Sequence, residues 1–594
     1  MSTSNDPIKG GEFLIRKTDP KDIFIAEEWN EEERMIAQTC LDYIEQEITP
    51  RLDEIDGMKE GLMPELMKKA GELGLLGISI PEDLGGFGKD FNVSMLSAEY
   101  TGAGHSFSVA ISAHTGIGTL PILYYGNEEQ RNKYIPGLAS GELLGCYCLT
   151  EPGSGSDANS GKTKAVLSED GKHYILNGQK MWITNGGFAD IYTVFAKIED
   201  DDNLSAFIVE RDFEGLSLNP EEKKLGIKGS STVQVFFNDC KVPVENLLSE
   251  RGNGFKIALN ILNIGRIKLA AATLGAAKGI INQTVQYANE RNQFGRPISK
   301  YGAIRYKISE QCVQTYALES ALYRCGRNIT DRKKSNMEAG MDESQALLKA
   351  VEMFATEAAM LKVNGSETVD YVIDEGIQVY GGMGYSAEAP MERAYRDARI
   401  NRIFEGTNEI NRMLTVDMLL KKAMKGELDL LGPAKKVQEE LLSIPDANVS
   451  DDEFESLTQV IENFKKLVLV TAGAAAQKLM TQLAKEQEVL MNIADMCIDT
   501  YISESVLLRI QKLSGNGAEN LDQKMEILRV QVYEAAARIQ KAATDAVYSF
   551  AEGDERKGLL MAIKRFTKSP VFNVKESRRN IAAMAIEKNA YCYG

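Results

Sequence analysis

The chain has 594 residues, which at roughly 100–200 residues per domain predicts about three to five domains. Hydrophobic residues make up 43% and charged residues 26%, an ordinary soluble composition that excludes wholesale disorder and collagen-like structure. The net charge of −18 argues against nucleic acid as a general partner. Three histidines leave little material for a metal site or a histidine-based triad.

The N-terminal composition and the cysteines set the expectation for the cellular compartment. Residues 1–30 contain no apolar signal-peptide core, and their acidic residues argue against a mitochondrial transit peptide. No run of about 18 apolar residues is present, so no bilayer-spanning segment is expected. The eight cysteines contain no CxxC pair and are expected to be reduced thiols. We therefore expect a cytoplasmic protein of bacterial type without a metal site.

Proline and glycine punctuation divides the chain into four predicted parts. Residues 30–144 show helical periodicity, and residues 145–246 contain short β-branched and aromatic runs that predict a compact antiparallel β-domain. Residues 247–425 return to the helical period with long proline-free stretches, as expected for a four-helix bundle. Residues 426–594 predict an extra helical domain. The predicted fold is mainly α with a central β-domain and a C-terminal helical extension.

Several common cofactor and nucleophile motifs are missing from the sequence. There is no GxxxxGK[ST] phosphate loop, no GxGxxG opening a helix after a strand, no HExxH and no GxSxG elbow. The nearest phosphate-loop candidate, residues 155–163, has five intervening residues rather than four. These absences disfavour a nicotinamide dehydrogenase, a P-loop kinase and a zinc hydrolase.

Three segments carry candidate binding chemistry, each with a plainer alternative. Residues 147–157 end a predicted strand in a turn of small residues, where backbone NH groups can approach a flat or anionic ligand; a surface loop is the equal alternative. Trp182 lies mid-strand beside a hydroxyl, a pattern that alone is more typical of core packing. Residues 291–297 form a predicted helix–helix turn that could hold a phosphate or could simply be a turn.

A fourth segment offers a candidate general base. Glu405 lies between Phe404 and Gly406, just before a helix that Thr407 or Asn408 is expected to cap. A carboxylate against aromatic surface beside a glycine has the raised pKa and adjustable position that a base needs. Taken alone, an ordinary acidic residue favoured by the helix dipole is the stronger interpretation.

The four segments occur together in the order and spacing of one family. With Ile261-Leu-Asn-Ile-Gly-Arg266, they make residues 30–425 resemble the acyl-CoA dehydrogenase family, and its very-long-chain branch also has about 170 extra residues after the common core. The resemblance implies bound FAD and α,β-dehydrogenation of long- to very-long-chain fatty acyl-CoA to trans-2-enoyl-CoA in fatty-acid β-oxidation. It also implies an electron-transfer flavoprotein as electron acceptor, and a homodimer.

The resemblance also assigns residues to roles. Glu405 matches the catalytic base, which removes the pro-R α-proton while a β-hydride passes to flavin N5; its backbone NH helps to polarise the thioester carbonyl. Some members carry the base at the position of Gly265, which cannot serve here. The expected cofactor-binding residues are Tyr147, Leu149, Thr150, Gly155, Ser156, Trp182, Thr184, Thr407 and Glu409, with Arg291, Phe294, Gln378, Gly381 and Gly382 reaching the FAD of the neighbouring subunit. The expected substrate-binding residues are Ser156, Asn263, Arg266, Phe404 and Gly406.

Acyl-chain preference and the role of the extension depend on weaker signals. Val109, Ser112 and Ala113 are small residues that allow a deep acyl tunnel, although helix packing explains them equally. The extension contains a basic cluster, for which the resemblance implies peripheral membrane contact, whereas a solvated face is the commoner reason. The cluster consists of Lys564, Arg565, Lys568, Lys575, Arg578 and Arg579 around Phe566 and Phe572.

Two other functions remain as alternatives at this point. An acyl-CoA oxidase would use dioxygen to reoxidise the flavin. A scaffold or assembly role for the long-tailed protein is the alternative from another class, and the intact Glu405 with all flavin segments disfavours a purely structural role.

Overall fold

The computed structural model describes residues 6–441, 452–518 and 520–594, so residues 442–451 and 519 of the predicted extension lie outside the described part, as do residues 1–5. Helices build the N-terminal part, and side-chain caps define where several begin: Asn30 accepts from the backbone of Glu33, whose side chain binds the NH of Asn30 in return. The helices are α1 Glu31–Tyr43, α2 Leu52–Asp56, α3 Leu62–Glu72, α4 Phe91–Thr101, α5 Ser106–Ala113, α6 Leu120–Tyr125 and α7 Glu128–Ser140.

A twisted β-sheet follows. Its strands are β1 Gly145–Cys148, β2 Lys164–Leu167, β3 His173–Thr184, β4 Ile191–Ile198, β5 Ser205–Glu210, β6 Leu216–Leu218, β7 Thr232–Pro243 and β8 Leu247–Leu248. The order is β6-β7-β3-β2-β4-β5-β8, with β1 beside β4. The sheet is mixed because β4 runs parallel to both β1 and β2, so the predicted purely antiparallel arrangement is wrong. The excursion through β3 gives the chain the long connection that a parallel partner requires.

Long helices form the third part. They are α8 Gly254–Glu290, α9 Gly302–Glu338, α10 Glu343–Met353, α11 Ala355–Tyr380, α12 Pro390–Ala398 and α13 Asn408–Met424. The connection between α8 and α9, predicted as a helix–helix turn, is a small hairpin of β9 Asn292–Gln293 and β10 Arg296–Pro297. Its tip adopts positive φ at Phe294 (51°) and Gly295 (81°). Helix α8 packs against α4, α9 and α11, which explains why it is apolar around most of its circumference.

The extension is helical, as predicted, and packs against the bundle mainly through α16 and α19 on α9 and through α16 on α13. Its helices are α14 Leu431–Leu441, α15 Glu453–Leu479, α16 Gln487–Gly515, α17 Leu521–Phe550, α18 Gly553–Phe566 and α19 Val574–Lys588. The segment before α1 also contacts it: Ile23 packs near Leu508, and Arg509 pairs with Glu27 at 3.0 Å. The sequence did not predict this contact between the two ends of the chain.

By length and composition, three helical spans of the described chain are able to cross a membrane: Ser106–Tyr125, Gly254–Glu290 and Glu453–Lys485. The expectation of no such segment, drawn from the lack of one long apolar run, therefore fails on that criterion. In the first two spans 78% of the most apolar window is buried inside the protein, and in the third 44%. Burial in a protein core also makes a helix apolar on all sides.

Candidate active site

Glu405 lies in the short connection between α12 and α13. Its backbone is in the left-handed region (φ 58°), and Gly406 follows with φ 84°. Thr407 caps α13, as predicted, by accepting a hydrogen bond from the NH of Ile410 at 3.3 Å. Asn411 Nδ2 donates to the carbonyls of Glu405 (3.3 Å), Gly406 (2.8 Å) and Thr407 (3.1 Å). A side chain from the following helix turn thus holds a backbone conformation that is otherwise unfavourable for glutamate.

The Glu405 carboxylate faces α8. Its Oε2 is shielded from solvent and has no hydrogen-bond partner among the described residues. Arg266 Nε donates to the Glu405 carbonyl at 3.2 Å and Nη1 donates to Asn263 Oδ1 at 2.7 Å. Burial raises the pKa of Glu405 from 4.5 to about 7, against the opposing charges of Arg266 and Lys362. A desolvated carboxylate that titrates near neutral pH matches the requirements of a general base.

Gly265 provides the space for this carboxylate. A Cβ added at position 265 would lie 2.9 Å from Glu405 Oε2 and 3.1 Å from Oε1. The alternative base position that the family resemblance implies, Gly265, is therefore directly opposite Glu405. A carboxylate side chain at position 265 or at position 405 would therefore occupy the same small space between α8 and the α12–α13 connection.

A second buried charge, Lys362 on α11, lies close enough to influence the base. Burial lowers the pKa of Lys362 from 10.5 to about 7, while the negative charge of Glu405 raises it. Lys362 Nζ donates to Asn408 Oδ1 at 2.8 Å, and Asn408 Nδ2 donates to Ser366 Oγ and to Glu367 Oε1, both at 3.0 Å. Sequence reasoning missed this group; its only signal was one lysine in an otherwise apolar helical stretch.

The loop after β1 and the adjoining part of β3 form the second wall of the site. Lys180, buried on β3, donates to Glu151 Oε1 at 2.6 Å, to the Phe195 carbonyl at 2.6 Å and to the Leu149 carbonyl at 3.4 Å. The NH of the next residue on β3 donates to the Thr150 carbonyl at 2.9 Å. The predicted segments around 147–157 and 182–185 are therefore neighbours in space.

Trp182 lies where β3 bulges. The register with β7 shifts between Lys180 and Ile183, and Trp182 has a φ of 62°. Trp182 is 52% exposed at this bulge, so the core-packing interpretation of Trp182 is wrong. Thr184 ends the same strand.

This wall fits a flat, polar cofactor such as FAD. The Tyr147 hydroxyl is buried with no partner among the described residues, and its pKa is raised by burial and then by the charge of Glu405, so Tyr147 lies near the base. A Cβ at Gly155 would meet no atom within 4 Å, which leaves the loop backbone open to a ligand. Ser156 on this loop is exposed, as is Glu409 in the first turn of α13, while Phe404 is partly buried.

The other predicted cofactor contacts lie elsewhere. Arg291 follows Gly265 by 26 residues along α8, which corresponds to about 39 Å at 1.5 Å per residue. Tyr287 stacks on Tyr380 with ring centroids 4.0 Å apart and so joins the β9–β10 hairpin to the end of α11. Phe294 is 95% exposed at the hairpin tip. The residues of this second group, remote from Glu405 in the same chain, are Arg291, Phe294, Gln378, Gly381 and Gly382.

A cavity of about 100 Å³ lies between the α4–α5 region and α8. Of the three predicted small residues, Val109 lines it, together with Ala272, Ala276 and Gly279 of α8. Ala272 and Ala276 follow Gly265 by 7 and 11 residues, so they lie on the same face of α8 as Gly265, which is opposite the Glu405 carboxylate.

The basic residues of the extension do not form one free cationic face. Arg578 is largely buried and pairs with Glu310 at 2.6 Å and Glu534 at 2.5 Å. Arg565 pairs with an acid near the end of α14, and Phe566 belongs to the core. Arg565 and Arg578 thus compensate acids on other helices, whereas Lys564, Lys568 and Lys575 are exposed, and membrane contact through the extension stays a prediction.

Four family models match the chain: the N-terminal, middle and C-terminal domains of acyl-CoA dehydrogenase over residues 30–142, 146–240 and 252–420, and a further acyl-CoA dehydrogenase C-terminal domain over 463–565. The chain is 45% identical over 587 residues to a probable acyl-CoA dehydrogenase of Bacillus subtilis (strain 168), with 99% of each chain covered. It is 38% identical over 505 residues to the mitochondrial very long-chain specific acyl-CoA dehydrogenase of Homo sapiens, covering 79% of this chain and 73% of that one.

A solved structure of an acyl-CoA dehydrogenase complexed with FAD from Bacillus anthracis superposes with a TM-score of 0.95 at 44% identity, covering 98% of this chain and 100% of that one. These similarities confirm the predicted family, fold class and enzyme class, and that FAD complex agrees with the predicted cofactor. The chain belongs to the acyl-CoA dehydrogenase family, a family of FAD-linked enzymes.

Proposed function

We propose that this protein dehydrogenates long-chain fatty acyl-CoA thioesters with Glu405 as the base and passes the electrons to an electron-transfer flavoprotein. The observation that carries the proposal is the Glu405 carboxylate, which is desolvated, lacks a hydrogen-bond partner among the described residues and titrates near pH 7. It faces the glycine of α8 beside the wall that fits FAD.

The chain's own residues account for the proton transfer. Glu405 Oε2 has an unused acceptor position, and its burial makes the ionised form a stronger base than an exposed glutamate. Arg266 and Lys362 keep enough positive charge nearby to leave a useful ionised fraction at neutral pH. When bound, FAD supplies the acceptor for the hydride from the β-carbon.

The geometry of α8 supports the proposed chain length. Ala272 is about 10 Å along the helix axis from Gly265 at 1.5 Å per residue. An extended acyl chain advances about 1.3 Å per carbon, given a C–C bond of about 1.5 Å and a bond angle near 111°. An acyl chain thus needs about eight carbons beyond the reacting carbons before its end reaches the cavity at Val109 and Ala272.

We propose a dimer, because the two groups of predicted cofactor contacts are too far apart in one chain to close around one flavin. The exposed Phe294 hairpin would complete the site of a second copy. Light scattering on the FAD-loaded protein tests this: a monomer with one tightly bound FAD would contradict it. The eight cysteines are free thiols, seven of them buried, which supports our proposal of a reducing, cytoplasmic compartment.

The test of the function is an anaerobic titration of the FAD-loaded protein with saturated acyl-CoAs of increasing chain length. We expect the flavin to bleach fastest with long chains. Glu405→Gln is expected to retain FAD and remain oxidised with every substrate, and normal bleaching of that variant would place the base elsewhere. A sharp optimum at short chains would refute the chain-length proposal, and stoichiometric peroxide formation without an acceptor protein would identify an oxidase.

A further inference from the structure

The extension contacts α13, the helix that begins three residues after the base. Arg412 lies on α13, one turn after Asn408, and its Nε donates to Asp495 Oδ1 of α16 at 2.6 Å. The same guanidinium binds Glu367 of α11 through two hydrogen bonds, Nη1 to Oε1 at 2.8 Å and Nη2 to Oε2 at 3.0 Å. The Arg412 side chain is only 15% exposed, so these acids are its main compensation for lost hydration.

From Glu367 the hydrogen bonds continue to Asn408, at the start of α13. Glu367 Oε1 also accepts from Asn408 Nδ2 at 3.0 Å, and Asn408 Oδ1 accepts from Lys362 Nζ at 2.8 Å. Asn408 is the first residue of α13 and follows the Glu405-Gly406-Thr407 connection directly. A continuous series of hydrogen bonds therefore runs from the extension to the backbone that presents the base. We call Asp495, Arg412, Glu367 and Asn408 the α13 brace.

We propose that Asp495 of the extension is a positioning residue for Glu405, acting through the α13 brace. The connection bearing Glu405 has two successive residues with positive φ and therefore needs support from outside itself. The brace fixes the start of α13 on two sides, to α11 and to α16. It gives the extension a role in the reaction although the extension contributes no group to the site.

The α13 brace also affects the charge near Glu405, because it holds the hydrogen-bond acceptor of Lys362. The charged groups that act on Lys362 are Glu405, Glu367 and Glu409, which favour its cation, and Arg266, which opposes it. Those that act on the Glu405 carboxylate are Arg266 and Lys362, and Tyr147 lies beside it. If Asn408 shifts, Lys362 loses its acceptor and its fixed distance to Glu405. The base then loses part of its stabilising charge and needs a higher pH to ionise.

The test compares two acids of α16 in the FAD-loaded protein. Asp499, one turn after Asp495, pairs with Arg538 inside the extension at 2.6 Å and serves as the matched control. Under anaerobic conditions with saturating long-chain acyl-CoA, Asp495→Asn is expected to lower the limiting rate of flavin reduction about tenfold or more. It should also move the acid limb of the pH profile upward, whereas Asp499→Asn leaves both unchanged. Asp495→Glu should restore most of the rate.

Equal effects of the two asparagine variants, or a fall in unfolding temperature without a change in rate or pH profile, would overturn the proposal. If Asp495→Asn does not fold, the experiment uses Arg412→Lys instead, because lysine keeps the positive charge but cannot form the bidentate hydrogen bonds of arginine. An unchanged pH profile of the Arg412→Lys variant would also overturn the proposal. The inference depends on Glu405 being the base. Normal bleaching of Glu405→Gln would refute that assignment, whereas a wild-type-like Asp495→Asn beside an inactive Glu405→Gln would refute only the brace.

Discussion

Gly265→Ala should slow the enzyme without destabilising it. The new Cβ would lie 2.9 Å from Glu405 Oε2, 3.0 Å from Cδ and 3.1 Å from Oε1. Ordinary contacts begin near 3.5 Å, so the carboxylate must retreat by about 0.5 Å. Because the end of a glutamate side chain moves at little cost, the fold tolerates this shift. The reaction rate is more sensitive to this shift, since a displacement of a catalytic group by about 1 Å can lower the rate about a hundredfold.

We therefore expect Gly265→Ala to lower the limiting rate of anaerobic flavin reduction about tenfold. The unfolding temperature should stay the same or rise, because alanine is favoured over glycine inside a helix by about 1 kcal/mol. Gly473→Ala is the matched control: position 473 lies within α15, and its Cβ would meet Ala434 at an ordinary 3.8 Å. That variant should gain stability and keep the wild-type rate.

The measurement is stopped-flow bleaching at saturating substrate, together with thermal unfolding of the same samples. A Gly265→Ala enzyme with the wild-type rate would show that the Glu405 carboxylate does not work against this face of α8. A large fall in unfolding temperature would show that the carboxylate has no room to retreat, and the position of the base would then have to be reconsidered.

Three further predictions concern stability and cofactor binding. The pKa of the Glu405 carboxyl is about 7 in the folded state and 4.5 in the unfolded state, so the folded state binds this proton more tightly. The free energy of unfolding therefore falls by about 3 kcal/mol as the pH rises from the unfolded-state pKa to the folded-state pKa. Glu405→Gln should therefore raise the unfolding temperature at pH 8 but much less at pH 5; an equal gain at both would contradict burial of the carboxylate. Lys180→Met leaves Glu151 buried without its cation and should cost about 3–5 kcal/mol in denaturant unfolding. Adding Glu151→Gln should recover part of that loss, and Lys133→Met at an exposed pair should cost little. Because Phe294 is exposed, Phe294→Ala should leave the stability of the FAD-free chain unchanged. The same variant should weaken FAD binding in an equilibrium titration, and an unchanged FAD affinity would remove Phe294 from the site.

Much of the site could be found in the sequence because its parts are local. The turn after β1, the Trp182 strand and the Glu405 connection are each short runs whose residue types and spacing are visible in one dimension. Lys362 was missed because a single lysine within a short apolar stretch of α11 forms no recognisable pattern. It acquires a role only when α11 packs beside α13 and Asn408 accepts its hydrogen bond.

The predictions that failed depended on partners distant in the chain. The parallel pairing of β4 follows from how the strands order themselves in the sheet, which alternation within a strand does not encode. Trp182 looked like a core residue until the bulge against β7 turned it outward. Arg578 belonged to a basic cluster in sequence, yet in the fold it neutralises Glu310 of another helix.

The sequence by itself determined the order of helical and β parts and, through its resemblance to one family, Glu405 as the candidate base in place of Gly265. Those properties reside in residue type and spacing. Only the tertiary structure decided that burial raises the pKa of Glu405 to about 7, that Gly265 makes room for its carboxylate and that Asp495 of the extension accepts a hydrogen bond from Arg412 of α13. These properties depend on which groups exclude water from the Glu405 carboxylate and on which charges lie beside it. Segments that are distant in the chain supply both the burying groups and the charges.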